Sequence, residues 1–172
     1  MAKVERIFPE CDSDTLLVEL ILQRGKPFHQ KGISKTVKCL VDYPGNDLVI
    51  GLADTDKFKR DKDNPNINKF TETVEDRLDK EGIIILKIPD KNKYLIRIHP
   101  EFERWIWKIA NDYGIDTAQY GVSSLGKLYE LSKHYRTNED PQFKKFVNAV
   151  VLNDPQPAPI ATLKRWFIKV FE

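Results

Sequence analysis

The chain predicts an α/β fold, a Rossmann-like βαβαβ sheet followed by a β-hairpin and a helical C-terminal part. Three observations carry this: a nearly continuous apolar run at Leu48 to Ala53, the hairpin pattern "IIILKIPDKNKYLIRI", and four amphipathic segments after Pro100. At 172 residues with 41% hydrophobic and 31% charged residues, the expected organisation is one domain over 1–172. Residues 1–98 form its α/β part and 99–172 a helical extension, and the chain is long enough to bury a core without staples.

The elements follow in order. Val4, Ile7 and Phe8 read as a first strand that ends at Pro9 and Glu10. "SDTLLVELILQ" reads as a helix capped by Ser13 or Asp14, with Leu16, Leu17, Leu20 and Leu22 on its apolar face. After "RGKPFHQKG", with a short strand around Phe28, Ile33, Val37, Leu40 and Val41 recur at helical spacing until "DYPGND" breaks the pattern. Leu48 to Ala53 is then a strand covered on both faces. Lys57 to Lys69 reads as a solvated loop and "FTETVEDRLDKEG" as a helix closed by Gly82. The helical part comprises "PEFERWIWKIANDYG", "SSLGKLYELSKHY", "DPQFKKFVNAVVL" and "APIATLKRWFIKVF".

Composition narrows the functional classes. A net charge of +2 lacks the strong basic bias of non-specific nucleic-acid binders. Cys11 and Cys39 show neither zinc-ligand spacing nor a disulfide framework, and "MAKVERIF" lacks the apolar run of a signal peptide. No window approaches the roughly 18 apolar residues of a membrane span. The expectation is a cytoplasmic protein with no membrane partner.

The chemistry concentrates at strand ends. In an open α/β sheet, side chains at the carboxyl ends of the strands meet in one crevice. Glu10 follows one strand and Asp54 another, while Asp54 and Asp56, two apart in an extended segment, share a side with Thr55 facing away. Carboxylates brought that close raise one another's pKa unless a cation neutralises them, and oxygen-only ligands select a hard ion. Glu10, Asp54 and Asp56 are therefore the candidate Mg²⁺ or Mn²⁺ ligands. The competing reading is that aspartate after a strand only caps a helix or starts a turn.

These residues resemble the Toprim family, the catalytic domain of primases, type IA and type II topoisomerases and OLD-type nucleases. "PECDSD" is similar to its first motif, with Glu10 at the family's Glu and Asp14 at an acidic position four residues on. "LADTD" is similar to its Asp-x-Asp motif, with Asp54 and Asp56, and the likeness spans Val4 to Lys57. Cys11 stands where the family usually has Gly, and no Gly follows "DTD".

The resemblance implies metal-dependent phosphoryl transfer on nucleic acid, a nuclease in the first instance, with Glu10 as general acid or base and the aspartates holding Mg²⁺ or Mn²⁺. It also implies a separate ATPase or other partner protein, since the chain has no Gly-x-x-x-x-Gly-Lys phosphate loop. "HPEFERWIWKIANDYG" resembles a segment of small Toprim proteins and makes Glu103 a possible further acid; alternatively Phe102, Trp105, Ile106 and Ile109 form a core stripe beside a solvated Glu103. His29, with Lys26 and Lys31, is a candidate for meeting a phosphate or serving as an acid, or is a surface histidine in a basic loop. His99 and His134 receive no role. The alternatives to an enzyme are a non-catalytic Toprim-shaped module that binds nucleic acid or protein, and an interaction protein built on its aromatic helices.

Overall fold

The computed structural model describes residues 5–55, 64–134 and 136–172. Val4, Asp56 and most of the loop following it lie outside these residues. The strands are β1 (Ile7–Pro9), β2 (Val49–Asp54), β3 (Glu72–Arg77), β4 (Ile83–Lys87) and β5 (Lys93–Ile98). The helices are α1 (Asp12–Leu22), α2 (Ile33–Asp42), α3 (Leu78–Glu81), α4 (Phe102–Asp112), α5 (Leu125–Ser132), α6 (Pro141–Val151) and α7 (Ala158–Ile168).

One mixed sheet has the order β1-β2-β5-β4-β3. β1, β2 and β5 run parallel, whereas β4 and β3 are antiparallel to their neighbours, so the fold is α/β with a parallel half and a meander half. Both helices of the β1–β2 crossover precede β2, and they take opposite faces. Leu16, Leu17 and Val18 of α1 join Ile50 and Leu52 in the larger core, which α4 to α7 complete. Ile33, Val37 and Leu40 of α2 join Val49, Ala53 and Leu95 on the other face.

Alternation along β2 explains the division, since neighbouring side chains leave a strand on opposite sides. Gly51 marks where α2 presses closest: a Cβ there would sit 2.6 Å from Leu40 Cδ1 and 3.0 Å from Thr36 Cγ2. The far end of α2 is held by the largely buried Lys93 Nζ, which donates to the Val41 and Tyr43 carbonyls.

Three local expectations are corrected. Phe28 is exposed and no strand forms around it; only Pro27 makes an isolated bridge. The connection instead wraps the outer edge of β1, with Gln30 N–H donating to Pro9 O and Gly32 N–H to Glu10 O. Neither Ser13 nor Asp14 caps α1: Cys11 is the N-cap without a side-chain bond, and both residues are buried in the first turn. "FTETVEDRLDKEG" is not a helix but β3 and the single turn α3, because pairing with β4 outweighs the local helical pattern. The hairpin and the four C-terminal helices form where the sequence predicts them. No helix among the described residues is long and apolar enough to cross a membrane.

Candidate functional site

The acids gather at the carboxyl end of the parallel half. β1 and β2 pair directly, with Pro9 opposite Leu52 and Glu10 N–H donating to Leu52 O at 2.8 Å, so Glu10 leaves the sheet beside the end of β2 and Asp54. Glu10 is 4% exposed, and its Oε1 accepts the Ile33 N–H at 3.1 Å, at the first residue of α2. The carboxylate thereby satisfies one of the N–H groups that a helix start leaves without an intrahelical partner.

Asp14 is the most constrained of the group. It is 1% exposed, and neither Oδ1 nor Oδ2 has a hydrogen-bond partner at normal geometry. Burial pushes its carboxyl well above the usual range, and the nearby negative charges of Glu10, Asp54 and Glu103 push it further. The Cys11 thiol, a poor donor, opposes this, and burial together with the charges of Asp14 and Glu10 raises the thiol in turn. Glu103, half-buried in the first turn of α4, thus belongs to the electrostatic neighbourhood of Asp14. Phe102, Trp105, Ile106 and Ile109 on the same helix are core.

On the rim, His29 Nδ1 lies 2.8 Å from Asp12 Oδ1. His29, Lys31, Glu10 and Arg136 line one open cleft of about 620 Å³. The charges of Glu10, Asp54 and Glu103 therefore all reach Asp14, and Glu10 also lines the cleft that holds His29 and Lys31. Asp56 lies outside the described residues.

Sequence reasoning passed over three residues at the ends of β2 and β5. Arg97 is 3% exposed and donates from Nε and Nη2 to Asp54 O. Thr55 Oγ1 lies 2.7 Å from both Pro100 O and His99 Nδ1. An arginine between Ile96 and Ile98 in a mainly apolar strand was the available signal, since a guanidinium is seldom buried without partners.

Among the described residues, no three His, Cys, Asp or Glu side chains stand close enough to hold an ion by themselves. The donor chemistry nevertheless fits a hard cation: Mg²⁺ typically uses one or two protein carboxylates and keeps several waters. A buried acid with two unpartnered oxygens is also the kind of group that a nearby cation stabilises. No protein-family model matches the chain, and neither a curated protein nor a solved structure matches it.

Proposed function

We propose that the protein is a Mg²⁺- or Mn²⁺-dependent phosphoryl-transfer enzyme acting on nucleic acid, a nuclease of Toprim type. The observation that carries this reading is Asp14, buried with no donor at normal geometry beyond the weak Cys11 thiol and facing the negative charges of Glu10 and Asp54. An arrangement that costs stability in the metal-free chain points to a cation as its compensation. Asp54, Asp56 and Glu10 would hold the ion, which supplies neutralisation of phosphate charge when bound. Glu10, next to the start of α2, exchanges a proton with the substrate oxygen, and Lys31 and Arg136 on the cleft wall attract the polyanion.

The test is thermal unfolding with Mg²⁺ or Mn²⁺. A hundredfold excess over Kd stabilises by about 2.7 kcal/mol, or about 5–11 °C in a chain of this size. The wild type is expected to show this shift and the Asp54→Asn, Asp56→Asn double variant to lose it. Equal shifts in both proteins remove the metal site. Cleavage assays on single- and double-stranded DNA and RNA then separate enzyme from binder. One observation favours a non-catalytic binding module instead: Glu10 already has a structural task at the start of α2. Metal binding without cleavage of any substrate would select that reading.

A further inference from the structure

On the α2 face of the sheet, immediately past Asp54, a cavity of about 610 Å³ opens. Ile67, Phe70, Ile84 and Leu86 give it apolar walls, with polar groups confined to a few points, the composition expected of a small-molecule site. Alternation along β2 turns Thr55 toward this side and Asp54 toward α1, so the cavity and the acids lie back to back across one strand end.

Pro100 O can only accept, so the Thr55 hydroxyl donates to it at 2.7 Å. Thr55 Oγ1 must then accept from His99 Nδ1, also at 2.7 Å. In the neutral ring this leaves His99 Nε2 as an acceptor on a side chain that lines the cavity. Asp79, also on the lining, supplies acceptors alone. Arg97, also on the lining, directs Nε and Nη2 at Asp54 O. A fitting occupant is flat and apolar on its faces and carries N–H donors on its edge.

We propose that this cavity is a subsite for a nucleobase bearing an amino group, held by its faces against Ile67, Ile84 and Leu86 and by its N–H donors at His99 Nε2 and Asp79. The choice of a nucleobase rests on the proposed function, whereas the cavity and the His99 tautomer do not. Saturation-transfer NMR with neutral nucleosides, recorded in EDTA, tests it without the metal. Base protons of adenosine, guanosine and cytidine should be saturated, and uridine less so.

Ile84→Trp, which fills the apolar space, should abolish the signal. His99→Ala, which removes one hydrogen bond, should weaken binding about 2- to 12-fold. Both variants are checked for wild-type circular dichroism and unfolding. Saturation of no nucleoside, or saturation unchanged in both folded variants, overturns the subsite; uridine equal to cytidine overturns the donor assignment. A failed metal shift leaves this result standing, and absent base saturation leaves the metal site standing.

Discussion

The Glu10 carboxylate has two oxygens, and the bond from Ile33 N–H engages Oε1. Glu10→Gln preserves that acceptor, so the variant is expected to fold normally and, with Asp54 and Asp56 still in place, to keep a reduced stabilisation by Mn²⁺. It loses the proton-exchanging group, and cleavage should fall about 10²- to 10⁴-fold. A cleavage rate paired with a thermal shift checks this, and wild-type cutting would end the catalytic role. The candidate acids were legible because strand-terminal carboxylates are visible as residue types against an apolar run. Asp14 was visible as an acid but not as a buried one, because its burial depends on which face α1 turns toward α4 and the C-terminal helices. His99 and Thr55 were harder still, since their bond joins residues 44 positions apart.

Strand β3 shows where pattern reading fails at the level of an element. Its side chains are mostly solvated on both faces, so it has no clear alternation, and Glu72, Glu75 and Asp76 read equally well as a helix surface. Its position comes from pairing with β4 and from Glu75, which accepts hydrogen bonds from Arg165 and from Trp166 Nε1 of α7 and from Arg77 on its own strand. Partial burial alone would raise the Glu75 carboxyl, but bonds from Arg165, Trp166 and Arg77 outweigh it and lower it from 4.5 to about 2. The link therefore contributes fully above pH 4.5 and is lost as pH falls through about 2. Glu75→Gln is expected to cost about 1–2 kcal/mol at pH 7, discounted for the solvent exposure of Arg165, and progressively less below pH 4.5. Urea unfolding at pH 7, 4 and 3 measures the difference. A cost that stays constant across those pH values would assign the link to packing rather than charge.

At the scale of the whole molecule, one buried cluster runs from Ile7 in β1 to Val170 beyond α7. The strands β1 and β2 and the β4–β5 hairpin were legible from their apolar runs, though not the parallel pairing of β5 with β2, and the C-terminal helices were legible from their periodicity. Their union was not, because no local pattern says which sheet face a distant helix covers. A chain ending at Ile98 keeps only α1 on this face and loses α4 to α7, so Ile7, Ile50, Leu52, Ile83, Ile85 and Ile96 lose part of their cover. At up to about 1.5–3 kcal/mol for each such side chain, the loss is comparable with the whole stability of a typical domain. The fragment is expected to show no cooperative thermal transition by circular dichroism, and a sharp one would make residues 1–98 self-sufficient.

The strap from Gln23 to Gly32 has a consequence outside the molecule. By engaging Pro9 O and Glu10 O from the outer side, it denies the β1 edge to any incoming strand. Among the described residues no strand pairs with the opposite edge, β3, which displays Glu72, Asp76 and Arg77 to solvent. Bare sheet edges are where folded proteins template one another into fibres, and charged or covered edges resist it. Concentrated preparations should therefore stay free of sheet-extending polymers until the strap detaches, and its detachment, more than global unfolding, would set the onset of fibrillation.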